Sequence, residues 1–239
     1  MTTHRLELED PTLREWTATV VAVDPELGIA LDRSAFYPGG GGQPPDQGVL
    51  LWGGVQTLIV GARYADDVWL IPAEGDPLPV VGTQVQGSIA DERRTHLMRT
   101  HSGLHVLSGV VFRDFGALVT GSNMEPLEGR LDFNLDGVPD GFKEAIESAI
   151  NAEVEADRAI RAYSLPREEA FAIPDVIRTA TNLLPPEIEV VRLVDIDGLD
   201  VQADGGTHVA STRQVGRMRV VKVENKGKGF RRIRVALEA

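Results

Sequence analysis

The 239-residue chain contains no cysteine, which excludes a disulfide framework, a thiol nucleophile and a thiolate metal ligand. It has no apolar run long enough to cross a membrane. Its first residues, Met1-Thr2-Thr3-His4-Arg5-Leu6-Glu7, lack the apolar stretch of a signal peptide. The expectation is a soluble cytoplasmic protein with no membrane attachment and no stable protein partner. No internal repeat or low-complexity segment occurs beyond one glycine run, and nothing looks like an ATP-binding core. No His-Glu-x-x-His places a base between two ligands, so a general metalloprotease is not indicated. The length allows one large domain or two modest ones, each with its own core.

Positive charge is scarce too. A net charge of −12 speaks against nucleic acid as a partner, because phosphate neutralisation demands a basic surface. The distribution softens this. Between residues 213 and 234 the chain carries Arg213, Arg217, Arg219, Lys222, Lys226, Lys228, Arg231, Arg232 and Arg234 against one acid, Glu224. Charge runs usually mark a solvated face, but cations interleaved with Val and Ile in a strand pattern suggest a stripe for RNA, with steep salt dependence.

Residues 16–23 alternate and are β-branched, and residues 28–31, 49–52, 55–60, 68–71 and 84–89 read as further short strands. Gly53-Gly54 between two of them is a hairpin signal. Short strands punctuated by Gly and Pro predict a small β-barrel or sandwich over residues 1–87. Within it, Gly39-Gly40-Gly41-Gly42-Gln43 is either a turn or a backbone that comes close to a ligand, with Gln43 supplying an amide.

Asp91 is the expected cap of a helix running to about residue 113, with Glu92, Leu97, His101, Leu104, His105, Leu107, Val111 and Phe112 keeping its period. Gly103 and Gly109 cost that helix about 1 kcal/mol each and leave room for another backbone or a ligand. His96 falls off the face of His101 and His105. Residues 130–133 read as a strand. Phe142, Ile146, Ile150 and Val154 then form the apolar ladder of a second helix, with Glu144, Glu147, Glu153 and Glu155 outside. Leu165-Pro166-Arg167 opens a short helix, another follows Pro174, and Pro185-Pro186 breaks the chain. Residues 188–194, 215–223 and 230–237 complete an antiparallel sheet. This mixed order predicts a two-layer α+β domain over residues 88–239.

Two short stretches carry the chemistry: Arg99-Thr100-His101-Ser102-Gly103-Leu104-His105 and Gln202-Ala203-Asp204-Gly205-Gly206-Thr207-His208. Residues four apart on a helix share one face, so His101 and His105 aim two imidazoles at one point. Asp204 and His208 repeat the offset beside a Gly-Gly pair that lets a tight backbone bring both side chains round. One His-x-x-x-His pair alone is often a polar helix face. Two such pairs, holding three of the five histidines, read as one metal site built from both.

These motifs resemble the editing domain of alanyl-tRNA synthetase and its free-standing relatives, the AlaX proteins. Leu97-Met98-Arg99-Thr100-His101, Val119-Thr120-Gly121-Ser122-Asn123-Met124, Arg130-Leu131-Asp132-Phe133, Asp204-Gly205-Gly206-Thr207-His208-Val209 and Lys226-Gly227-Lys228-Gly229-Phe230-Arg231-Arg232-Ile233-Arg234 follow the family's order. Phe36-Tyr37-Pro38-Gly39-Gly40-Gly41-Gly42-Gln43-Pro44 is similar to the glycine-rich motif of the larger AlaX type, which carries an extra N-terminal domain. One departure stands out: the family's usual Cys is Asp204 here. Asp is an acceptable but harder Zn²⁺ ligand, so either Asp204 ligates, or three histidines hold the ion while Asp204 takes a proton from a water.

The resemblance implies one Zn²⁺ per chain, its identity left open by Asp204, and hydrolysis of the ester in tRNA(Ala) mischarged with Ser or Gly. Three ligands and an open position would lower the pKa of a bound water to about 7; alternatively the ion would hold the substrate's α-amino group. Rejecting alanine requires a hydrogen bond to the serine hydroxyl, for which Thr120, with Ser122 and Gln43 behind it, is the candidate; each also reads as an ordinary loop residue. Gly41, Gly42, Gln43, Thr120 and Ser122 are the candidate substrate contacts, and Arg213, Lys226, Lys228, Arg231 and Arg232 the candidate tRNA contacts. Two other readings compete: a catalytically silent tRNA-binding module, prompted by Asp204, and a metal hydrolase of a small ester.

Overall fold

A computed structural model describes residues 2–182 and 184–239. The chain forms two compact units, Met1–His96 and Leu97–Ala239.

The first unit holds β1 (His4–Arg5), β2 (Glu15–Asp24), β3 (Gly28–Leu31), β4 (Arg33–Ser34), β5 (Gly48–Trp52), β6 (Val55–Ala65), β7 (Asp67–Pro72) and β8 (Gln84–Ile89). Along β2, Trp16, Ala18 and Val20 are buried while Glu15 and Thr17 face solvent, the period-two pattern of a strand with one wet face. Six such strands close into a barrel in the order β2-β3-β7-β6-β5-β8. Closure leaves no unpaired edge. Ile29, Leu31, Phe36, Leu50, Ile59 and Leu70 fill its interior. β5 and β6 meet through Gly53-Gly54 as a hairpin.

The glycine run lies between β4 and β5. Gly39, Gly40, Gly41 and Gly42 have φ of 86, 135, 59 and 94°, a region in which any residue with a Cβ is strained. Reciprocal backbone bonds between Gly40 and Gln43, of 3.0 and 2.9 Å, close the loop. Its stem is fixed by Asp46, which accepts the Tyr37 N–H at 2.7 Å and pairs with Arg94. Both side chains of that pair are fully buried, and Arg94 also donates to the Pro11 and Ala35 carbonyls. Removing one partner from such a buried pair costs about 3–5 kcal/mol.

Helix α1 (Asp91–Phe115) runs slightly beyond the expected end. Asp91 is its first helical residue and not its cap: the Ala90 carbonyl accepts the Arg94 N–H. Residues 100–111 are buried on every side, so this helix is central to its unit and its polar residues need partners there.

The second unit continues with β9 (Val119–Glu125), β10 (Glu128–Phe133), α2 (Phe142–Glu155), β11 (Ile160–Pro166), α3 (Arg167–Ala172), β12 (Val190–Ile196), β13 (Asp200–Ala203), β14 (Met218–Asn225) and β15 (Arg231–Leu237). Four strands pair antiparallel as β14-β15-β10-β9, and β11-β12-β13 form a separate sheet. Val106, Leu107 and Val110 of α1, Leu131 and Phe133 of β10, Ile233 and Val235 of β15 and the α2 ladder share one core. The two-layer α+β reading therefore holds, with corrections of detail. The strand expected at residues 188–194 belongs to the three-stranded sheet, not to the one containing β14 and β15. The short helix expected at Leu165-Pro166-Arg167 is present as α3, but it begins at Arg167: Leu165 and Pro166 end strand β11, with Pro166 as the helix's N-cap. No helix follows Pro174 among the described residues; Asp175 takes a left-handed φ of 56° instead. Glu153, expected outside α2, is buried between Arg113 at 2.6 Å and Arg158 at 2.5 Å. Burial opposes its ionisation, but the two guanidinium groups hold its carboxyl below the usual range.

Candidate metal centre

His101 and His105 lie one turn apart on the buried middle of α1, where helical geometry sets their rings edge to face with centroids 5.1 Å apart. The chain segment after β13 supplies the other pair. There the Asp204 carboxylate accepts the Gly206 N–H at 2.7 Å, a side-chain-to-backbone bond that folds the turn locally. Neither Gly205 nor Gly206 needs a positive φ, so the Asp204 oxygen rather than glycine freedom shapes this bend. The backbone of Asp204 is in turn held by Arg192, N–H to carbonyl at 3.1 Å and guanidinium to carbonyl at 3.0 Å. His208 is brought back over α1, its ring 4.3 Å from that of His101 and 4.8 Å from that of His105.

The four side chains converge. Asp204 Oδ2 lies 3.5 Å from His101 Nε2 and 3.9 Å from His105 Nε2, and Asp204 Oδ1 lies 3.0 Å from His208 Nε2. One donor atom from each of the four falls within 4.8 Å of all the others. Donors bound at 2.0–2.1 Å around a tetrahedral ion stand about 3.4 Å apart, and these separations bracket that value. Three imidazoles and one carboxylate form a donor set that suits Zn²⁺, so the residues present fit a metal ion.

The charge balance agrees. Burial pushes His101 well below the ordinary histidine range, the Asp204 charge opposing it only in part. His208 is driven down to about 4, again chiefly by burial. Burial also works against charge on His105, but Asp200 and Asp204 overcome it and raise that residue to about 9. Asp204 stays ionised: burial opposes its charge, and the histidines around it hold it well below the usual carboxylate range. Without an ion, one proton on His105 balances the buried carboxylate.

Supporting groups escaped the sequence reading. Ser102 Oγ meets His208 Nδ1 at 3.2 Å and accepts the Val209 N–H at 3.1 Å. Its neighbour His101 was the only sequence signal for it. Asp200, four residues before Asp204, faces His105 from the other side.

The remaining candidates are placed as follows. Thr120 and Ser122 lie in β9, on an edge of the four-stranded sheet. Thr120 is exposed and occupies a β-bulge, since Val119 opposes Phe133 while Gly121 opposes Asp132. Bulges of this kind re-aim side chains. Gln43 is buried, Gly41 exposed and Gly42 half-buried in the first unit. The basic run is less free than its sequence suggests. Arg232 is bound by both oxygens of Asp132, at 2.6 and 2.8 Å. Arg234 and Lys222 share Glu224, Arg217 and Arg219 share Glu238, and Arg213 meets Asp157 at 3.3 Å. Among the described residues, Lys226, Lys228 and Arg231 have no acidic partner within ion-pair distance; all three lie at the β14–β15 turn.

Residues 191–234 match the family profile described as the threonyl and alanyl tRNA synthetase second additional domain. The chain is 36% identical to the alanyl-tRNA editing protein AlaX-M of Saccharolobus solfataricus, over 97% of both chains. It is 33% identical to AlaX-M of Methanosarcina acetivorans, over 94% of each. It is also 36% identical to the alanine–tRNA ligase of Pyrococcus furiosus, over 97% of this chain but only 25% of the ligase.

Proposed function

The chain belongs to the AlaX-M family of alanyl-tRNA editing proteins, and from that premise we propose that it is a trans-acting, zinc-dependent deacylase. It acts in the cytoplasm on tRNA(Ala) mischarged with Ser or Gly. Its barrel domain with the glycine-rich motif extends past the expected residue 87 to the end of β8 at Ile89, and its editing domain follows. One observation carries the reading: the convergence of His101, His105, Asp204 and His208 on a single point, with donor separations that suit an ion. Asp204 within that ring favours an active centre over a silent tRNA-binding module, because its oxygens occupy the place a fourth ligand needs.

The zinc ion, when bound, supplies Lewis acidity at the ester. The protein's own groups do the rest. His101, His105 and His208 would hold the ion from the side on which their Nε2 atoms face Asp204. Asp204 completes the set or takes a proton from the attacking water, through the oxygen not bound by Gly206. Ser102 fixes the orientation of His208. Thr120, at the bulge, offers a hydroxyl to the serine side chain, and Ser122, Gln43, Gly41 and Gly42 are further substrate contacts. A pocket that hydrogen-bonds the substrate hydroxyl rejects an analogue lacking it by up to about 10⁴–10⁵. Lys226, Lys228 and Arg231 contact the tRNA backbone. Arg213 and Arg232 serve there less directly, being engaged by Asp157 and Asp132.

The test is deacylation of Ser-, Gly- and Ala-charged tRNA by the wild type and by His105→Ala. Hydrolysis of the seryl and glycyl esters, abolished in the variant and by chelator, is the expected outcome. Equal rates for all six combinations end the reading.

A further inference from the structure

The buried face of α1 beyond His105 carries a second polar cluster that no ligand role has absorbed. Ser108, Gly109 and Phe112 lie three, four and seven residues past His105, on the same helical stripe. Strand β13 lies against this stripe. A Cβ at Gly109 would stand 2.9 Å from Leu199 Cγ and 3.1 Å from Asp200 Cβ; the missing side chain is what lets the start of β13 come this close. The approach delivers the Asp200 carboxylate, fully buried, to the side of His105 that faces away from the ion site.

Asp200 is held from two directions. Its Oδ1 accepts Arg178 Nε at 2.9 Å, and its Oδ2 accepts Gln202 Nε2, which also reaches Ser108 Oγ at 3.2 Å. Arg178 is itself fixed, donating to the Asp175 carbonyl at 2.7 Å and stacking its guanidinium 3.8 Å from the Phe112 ring centroid. Opposite this assembly stands His105 Nδ1, buried and without a hydrogen-bond partner among the described residues. Asp200 Oδ2 is 3.7 Å away, a small ring rotation short of bonding distance.

A buried carboxylate that is pinned on both sides and faces an orphaned imidazole nitrogen is suited to one task. Histidines that bind metal through one nitrogen almost always donate the other N–H to a carboxylate, carbonyl or water, which fixes tautomer and ring orientation. We propose that Asp200, clamped by Arg178 and Gln202, is the positioning residue for His105: it receives the Nδ1 hydrogen and so presents Nε2 to the ion. This rests on the metal reading above and extends it to the residues that shape the site. Arg178 and Gln202 act through Asp200, keeping its carboxylate from turning away.

Zinc affinity, measured by competition with a chromophoric chelator, tests this without reference to tRNA. Asp200→Asn is expected to weaken zinc about 10–100-fold, to alter the absorption of the cobalt-loaded protein, and to remove one imidazole N–H proton signal seen in the zinc-loaded wild type. Because Asp200→Asn leaves Arg178 buried without its counter-charge, Gln202→Leu serves as a milder variant. It removes one clamp and creates no buried charge, and is expected to weaken zinc severalfold. Melting temperature is read separately on the ion-free proteins. If both variants keep wild-type zinc affinity and cobalt spectrum while melting lower, Asp200 is merely a structural partner of Arg178 and the proposal falls. A wild type that takes up no zinc removes the metal reading itself, an outcome distinct from that one.

Discussion

Gly103 and Gly109 both interrupt the long buried helix, and alanine at either position gains about 1 kcal/mol of helix propensity if nothing stands in the way. Their surroundings make the two substitutions differ. At Gly103 the new Cβ meets Met218 Cε at 3.1 Å, Met218 Sδ at 3.2 Å and Val215 Cγ1 at 3.2 Å. Methionine is unbranched and adaptable, so Gly103→Ala is expected to be neutral or stabilising by up to about 1 kcal/mol. At Gly109 the Cβ meets Leu199 Cγ at 2.9 Å and Asp200 Cβ at 3.1 Å. The leucine tip can turn, but the Asp200 Cβ moves only with its strand. Overpacking of this kind costs about 1–3 kcal/mol, which cancels or exceeds the propensity gain. Gly109→Ala is therefore expected to melt at or below the wild-type temperature, by about 2–4 °C for each kcal/mol lost. Displacing Asp200 from His105 should also cost part of its orienting effect, weakening zinc by about 3–10-fold, short of the full loss of an outer partner. Gly103 sits about 200° round the helix from His101, on the side facing Met218, so its variant should bind zinc as the wild type does. Calorimetry on the ion-free proteins and chelator competition supply both readouts. Should Gly109→Ala gain the full propensity term and bind zinc unchanged, the account of β13 pressed onto α1 is wrong.

Zinc binding should depend on pH with a definite sign. His105 in the ion-free protein keeps its proton up to about 9, and loading Nε2 displaces it, so affinity rises about tenfold per pH unit between about pH 6 and about pH 8 and levels off above about 9. A flat profile across that range refutes the assignment of the proton. The cations should divide into two classes: Lys226→Gln, Lys228→Gln and Arg231→Gln each lower the salt slope of RNA binding by about 0.7–0.9. Arg232→Gln, which abandons Asp132, should instead act mainly on stability; equal slopes for all four variants would remove that distinction. Thr120→Val should lower selectivity for seryl over alanyl esters, and unchanged selectivity excludes Thr120 from the pocket.

Local spacing made the centre legible, because both halves of it obey the same offset of four. His101 and His105 need only one helix, Asp204 and His208 only one turn, and each pair can be recognised without knowledge of the other. The barrel was legible for a similar reason: alternation in residues 16–23 and the Gly-Gly hairpin are short-range signals. Where the chain relied on distant partners, reading from sequence failed. Strand β11 buries only Ile160 fully, so its sequence carries no alternation, and its pairing with β12 is what makes it a strand. β9 contains Gly121, Ser122 and Asn123, a turn-like composition that becomes extended by pairing with β10.

The same division explains why the ion pairing of the two charge patterns, and the place of Asp200, were not legible in the sequence. Counted along the chain, nine cations face one acid. In space, Asp132 comes from a strand about a hundred residues earlier, Asp157 from beyond α2 and Glu238 from the end of the chain, and among the described residues the cations without an acidic partner shrink to three at one turn. Glu153 looks like a solvated carboxylate on a helix face, but Arg113 and Arg158 converge on it from separate segments and make its burial tolerable. Asp200 stands four residues before Asp204, but nothing in that spacing marks it as a partner of His105. Its importance is conferred by a glycine on another element, an arginine in a stretch without regular structure, and an imidazole nitrogen that would otherwise be buried alone. Ligands can be recognised by periodicity because one element presents them together. The groups that orient ligands are gathered by tertiary packing, and only their geometry identifies them.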